Sequence, residues 1–134
     1  MRHDHSNRER DLTESIGSLL TQDHDEIDAL FQRAVDGDSA ARTAFEERLR
    51  LHMRIEEEIL FPALSDTPLA VPARVMVKEH DLLRDLLDKD DLEALPSCLG
   101  SHNVKEENVI YPACEGPTFA PQLAKVREAL AARR

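Results

Sequence analysis

An eleven-residue segment is written twice in this chain. His52-Met-Arg-Ile-Glu56-Glu57-Glu-Ile-Leu-Phe61-Pro62 recurs as His102-Asn-Val-Lys-Glu106-Glu107-Asn-Val-Ile-Tyr111-Pro112. Each copy reads His-x-x-x-Glu-Glu-x, then two aliphatic residues, an aromatic and a proline. Two further histidines stand in matched settings, His24-Asp-Glu-Ile before the first copy and His80-Asp-Leu-Leu before the second. An offset of 50 residues relates the segments and 56 relates the earlier histidines. Such a chain is expected to fold as a duplicated helical hairpin, each half supplying two histidines and one glutamate. Four histidines and two carboxylates at helical spacing are what a buried pair of metal ions needs.

A length of 134 residues suits one domain with one sizeable core. Leu, Ala and Ile are common, Gly is scarce and Trp absent, which favours an all-α fold. The formal charge of -10 argues against nucleic acid or an anionic membrane as partner. No apolar run reaches the length of a membrane span, and Met1-Arg-His-Asp-His-Ser has no apolar core of a signal peptide. The expected location is cytoplasmic. Cys98 and Cys114, if on one helix, stand roughly 24 Å apart at about 1.5 Å per residue, beyond disulfide reach. They are expected to pack as small apolar residues.

Residues 1–11 are polar and read as a flexible N-terminal tail, with His3 and His5 adventitious. Beyond it the apolar spacing predicts helices over 12–35, 39–61, about 72–88 and 95–112. Their stripes are Ile16, Leu20, His24, Ile27 and Phe31; Phe45, Leu49, His52, Glu56 and Ile59; Met76, His80, Leu83 and Leu87; and Leu95, Leu99, His102, Glu106 and Val109. A last amphipathic helix, 121–131, carries Leu123, Val126 and Leu130 after Phe119. The predicted architecture is an up-down-up-down four-helix bundle with a short C-terminal fifth helix.

Residues four apart on a helix differ by about 40° in direction, so His52 points with Glu56 and His102 with Glu106. Glu57, Glu58 and Glu107 are rotated away and read as solvated surface. A glutamate in an apolar stripe is costly unless paired or coordinated. Imidazole plus carboxylate without thiolate suits iron, manganese or zinc. The candidate metal ligands are therefore His24, His52, Glu56, His80, His102 and Glu106. Thr21, Leu49, Val77 and Leu99 stand three residues before the four histidines, which excludes the Glu-x-x-His pattern of ferritin-like di-metal proteins. His-Glu-x-x-His is absent as well.

These residues closely resemble the hemerythrin-like, or HHE cation-binding, family across about residues 12–115. The resemblance makes 12–134 a hemerythrin-like di-iron domain. It implies two Fe ions joined by an oxo or hydroxo bridge, with the four histidines as terminal ligands and Glu56 and Glu106 as bridges. Oxygen-carrying hemerythrins have a further histidine four residues after the third-helix ligand, where this chain has Arg84. They also end on His-x-x-x-x-Asp, where this chain has His102-x-x-x-Glu106. This four-His/two-Glu variant leaves each iron about one open site, which favours redox chemistry with hydrogen peroxide, nitric oxide or dioxygen over reversible carriage. The set is similar to that of the di-iron proteins of iron–sulfur cluster repair and of peroxide-decomposing actinobacterial relatives. The repair proteins carry an extra cysteine-containing N-terminal domain not seen in this sequence, which weighs against that role.

Asp28 and Arg84 lie four residues after matched histidines, and a pseudo-two-fold axis would let them pair across the core; the other reading turns Arg84 outward to Asp81 or Asp88. Tyr111 and Phe61 are expected to be core wedges, Tyr111 reaching a metal only if its helix ends early. Against a redox protein stands a binding module, either an oxygen or nitric oxide sensor or an iron store or donor. A His-Asp phosphohydrolase, suggested by His24-Asp25 and His80-Asp81, leaves the repeated glutamates unused.

Overall fold

The computed structural model describes residues 14–132. The expected tail, with His3 and His5, lies outside them. Among the described residues there are helices and no strands: α1 (Ile16–Val35), α2 (Ser39–Ile55), α3 (Ala70–Asp88), α4 (Leu95–Lys105) and α5 (Ala120–Ala132). Among the described residues no helix is long and apolar enough to cross a membrane.

Local chemistry sets the ends. Ser15 caps α1, its hydroxyl accepting from the Ser18 N–H (3.1 Å) while the Ser18 hydroxyl accepts from the Ser15 N–H (2.8 Å). Gly37, at φ +102°, takes the left-handed turn that ends α1, with the Asp38 N–H donating back to the Arg33 carbonyl at 3.0 Å. Asp38 then caps α2 by accepting from the Ala41 N–H (3.0 Å). This tight turn lays α2 back along α1, so that Arg33 meets Asp38, Arg48 meets Glu26 and His52 meets Asp23, one number rising as the other falls.

The second and fourth helices depart from the sequence expectation. Each was predicted to run as α-helix to its proline. Instead α2 ends at Ile55 and α4 at Lys105, and each passes into a π-helical turn, Glu56–Leu60 and Glu106–Ile110, then a short 3₁₀ turn. In each π turn the aromatic N–H, from Phe61 or Tyr111, donates to the glutamate carbonyl five residues back. Pro62 and Pro112 have no N–H and would clash with the carbonyl four residues earlier, so the helix loosens before them. The extra residue per turn shifts the register. Ile59 and Val109, predicted to face the core, are partly buried and 48% exposed respectively, while Leu60 and Ile110 are fully buried.

The other predicted stripe residues are buried as expected. They form two apolar clusters. One holds Ile16, Leu20, Leu60, Met76 and Ile110, with Val126 and Leu130 of α5 against it. The other holds Ile27, Phe31, Phe45, Leu49, Leu83 and Leu99. His24 lies between Leu20 of the first and Ile27 of the second, and His80 likewise between Met76 and Leu83. A polar layer is thus sandwiched between two dry ones. Phe45, fully buried and 5.1 Å from the Phe31 ring, anchors the second cluster. Phe45→Ala is expected to destabilise the fold by about 3–5 kcal/mol, read from denaturant midpoints at unchanged slope.

Candidate metal centre

All six predicted ligands converge. His24, His52, Glu56, His80, His102 and Glu106 are buried, and they fall into two groups that share both glutamates. One group is His24, His52, Glu56 and Glu106; the other is Glu56, His80, His102 and Glu106. Within each group, one ligand atom per residue lies within 4.8 Å of every other.

Each histidine is held from behind by a carboxylate on the neighbouring element. His52 Nδ1 donates to Asp23 (2.8 Å), His80 Nδ1 to Glu57 (2.6 Å), His102 Nδ1 to Glu79 (2.8 Å) and His24 Nδ1 to Glu107 (2.7 Å). The four links run in a ring. α1 holds the histidine of α2, the α2 extension that of α3, α3 that of α4, and the α4 extension that of α1. A carboxylate only accepts, so each Nδ1 carries the proton and each Nε2 presents a bare lone pair inward. Cations back three of the four carboxylates. Arg48 reaches Asp23 (2.9 Å), Arg84 reaches Glu57 (2.8 Å) and Lys105 reaches Glu79 (2.6 Å).

These outer partners correct one expectation and decide between two others. Glu57 and Glu107 do not stand on a solvated face, whereas Glu58 does. Of the two readings of Arg84 the outward one holds: it reaches Asp81 (3.3 Å), and Glu57 as well, and does not pair with Asp28 across the core. The signal was available in the repeat: an acid directly precedes His24 and His80, and a second acid directly follows Glu56 and Glu106. Each sits a third of a turn from its inward neighbour, and so faces the adjacent helix.

Tyr111 is also more than a wedge. The π turn brings residue 111 round beneath Glu106, and its hydroxyl lies 2.5 Å from Glu56 Oε2, to which it donates. It stands 3.0 Å from Glu106 Oε1, and 3.2 and 3.4 Å from Nε2 of His24 and His52. Gly17 makes room for it, since a Cβ there would stand 3.1 Å from the Tyr111 Cβ. Phe61, at the matched place, stacks on His80 with ring centroids 5.7 Å apart and brings no oxygen. The two groups therefore differ by one hydroxyl.

The donor set fits metal ions. Glu56 Oε1 and Glu106 Oε2 are buried without a hydrogen-bond partner among the protein atoms. His80 Nε2 stands 3.1 Å from Glu56 Oε1 and His102 Nε2 3.0 Å from Glu106 Oε2, but off the bonding direction. The Nε2 atoms of His80 and His102 face each other at 3.1 Å. Two imidazole lone pairs that close repel unless a positive charge lies between them. With protein charges alone, a proton supplies it. Burial opposes charging His80, but Glu106 and Glu56 outweigh it and raise its pKa to about 9. His52 and His102 are raised too, against the same burial, chiefly by Glu56 and Asp23 for His52 and by Glu106 for His102. Burial would raise the Glu106 carboxyl, yet the histidines crowded around it, His102, His24, His52 and His80, hold it well below its usual range. Burial, then the negative charge of Glu56 and Glu106, pushes the Tyr111 phenol well up.

Cys98 and Cys114 are both free thiols. Cys114 is buried as expected, and burial, with Glu56 and Glu115, lifts its thiol to about 12; Cys98 is only partly buried.

The fold and the site together define a helical protein with a buried histidine–carboxylate centre suited to metal cations. Residues 15–114 match the family described as Hemerythrin HHE cation binding domain, and the chain belongs to that family. Comparisons with curated proteins and with solved structures returned no match.

Two outcomes follow. Glu79→Ala should lower metal affinity by about 10–100-fold, measured by competition with a chromophoric chelator. In protein stripped of metal, the raised histidine pKa contributes stability that is full below the ordinary value of 6.5 and is lost as pH rises through about 9. The depressed Glu106 acts oppositely, its contribution present above 4.5 and lost as pH falls through its lowered value. Thermal melts should therefore show alkaline destabilisation between about pH 6.5 and 9 that metal loading abolishes.

Proposed function

We propose that this chain binds two iron ions at His24, His52, Glu56, His80, His102 and Glu106, and reacts there with hydrogen peroxide, nitric oxide or dioxygen. The observation that carries the reading is the pair of four-residue groups sharing both glutamates, each histidine turned lone pair inward by its own carboxylate. The cyclic order of those links suits an up-down-up-down four-helix bundle, which we take as the arrangement of α1 to α4. The free thiols of Cys98 and Cys114 suit a reducing, cytoplasmic setting.

Bound iron would supply redox chemistry and open positions for a small ligand. The chain's own residues do the rest. Two apolar clusters exclude bulk water from the centre. The carboxylate ring fixes imidazole orientation and raises its basicity. The Tyr111 hydroxyl, donating to Glu56 Oε2, holds a proton inside the centre beside His24 and His52. Peroxide disproportionation balances without an external electron donor, whereas nitric oxide reduction needs one, so peroxide is the simplest substrate for the chain by itself. Sensing, or iron storage and donation, is the second reading, and one observation favours donation: a cavity of about 210 Å³ opens against His24.

Metal analysis and an absorption spectrum on protein purified in air, followed by peroxide addition, test both. About two iron ions per chain, matching the two groups, is expected, with near-ultraviolet oxo-to-iron bands and oxygen evolution. Stable spectra without turnover would favour the store or sensor. Zinc alone, or no metal after reconstitution with ferrous iron, would overturn the di-iron reading.

A further inference from the structure

The ring of carboxylates has one weak link. Asp23, Glu57 and Glu79 are each tied to a cation as well as to a histidine. Among the described residues Glu107 has His24 as its only hydrogen-bond or ion-pair partner, and its side chain is 35% exposed against 24% for Glu57. The duplication shows what is missing. Arg84, four residues after His80, clamps Glu57 at 2.8 Å. The residue four after His24 is Asp28, a carboxylate that lines the same cavity as Glu107 and cannot clamp it.

A second clamp is missing from the same side. Arg50 on α2 reaches Asp88 on α3 at 2.8 Å and ties those helices across their outer face. The matched positions, by the same offsets, are Gly100 and Gln32. Both line the cavity of about 210 Å³ between α1 and α4. A Cβ on Gly100 would meet nothing within 4 Å. On the far side of Glu107 a second hollow, of about 470 Å³, runs past Gly17 and Thr21 to Tyr111. Glu107 is thus a ridge between two hollows, with His24 directly behind it.

We propose that the two halves of the centre differ in their hold on a metal ion: the His24–His52 position exchanges its ion through the groove between α1 and α4 as Glu107 swings aside, and the His80–His102 position retains its ion. The inference rests on the metal-binding reading above. Releasing an ion requires a histidine to turn away. On its outer, Nδ1 side His80 is held by Glu57 and, through it, by Arg84, whereas the Nδ1 of His24 is held by Glu107 with no cation behind it. The acids at the mouth, Asp25, Asp28 and Glu107, favour passage of a cation over an anion.

Cobalt(II), whose visible bands report its coordination, is the probe. The full chain is loaded with cobalt alone and challenged with excess EDTA, and band loss is followed in time. Two phases of equal amplitude are expected, separated at least about tenfold in rate. Asp28→Arg, which copies the Arg84 clamp at an exposed position, should slow the fast phase about fivefold or more and leave the slow phase unchanged. Gly100→Arg, a second exposed change, should do the same by filling the groove. Arg84→Ala should speed the slow phase. Release of both ions in one phase, or slowing confined to the slow phase in Asp28→Arg, would overturn the asymmetry while leaving metal binding intact. No cobalt uptake at all would overturn both.

Discussion

Two carboxylates and four imidazole lone pairs converge in the middle of an apolar core, and every other feature of the molecule accommodates that convergence. Groups that bare would repel one another or seek water, which two dry clusters keep away. The protein answers from outside the layer. Four carboxylates turn the imidazoles inward by accepting their Nδ1 protons, and three cations steady three of those carboxylates in turn. The result is an electron-rich chamber with a standing demand for positive charge, met by protons or, with better geometry, by divalent ions.

The π turns are the second accommodation. A regular α-helix aims residue 111 well away from residue 106. Opening the turn by one residue brings the Tyr111 hydroxyl to the two buried glutamates and the Phe61 ring onto His80, and moves Leu60 and Ile110 into the core. The prolines enforce this, so the repeated Phe61-Pro62 and Tyr111-Pro112 do more than end helices. They set which ring lies over which histidine, and whether a hydroxyl accompanies it.

Much of this was legible in the sequence. The duplication and the spacing of four located all six inward residues, because both depend only on regular helical geometry near the centre of each element. The apolar stripes hold up to Glu56 and Glu106, hold in part at Ile59, which packs against the core while partly buried, and fail at Val109, where the period changes from α to π. Glu57 and Glu107 were misread because helical periodicity tells which way a side chain leaves its own helix, not which neighbour waits there. Arg84 illustrates the same limit. Its partner is set by the helix packed alongside, information that no single-helix pattern contains.

The ring of links also has a beginning and an end in time. Three of its links join residues 29, 23 and 23 positions apart, on successive elements. The fourth, His24 to Glu107, spans 83 positions and joins α1 to the extension of α4. Loop-closure entropy makes that contact about 1 kcal/mol more costly to form than its counterparts. A folding chain therefore assembles an open chain of three links first and closes the circle last, once α4 docks against α1. Thermal fluctuation reverses that order: the seam where the circle closes is where native-state opening starts, and the amides bordering it should be the least protected of the polar layer.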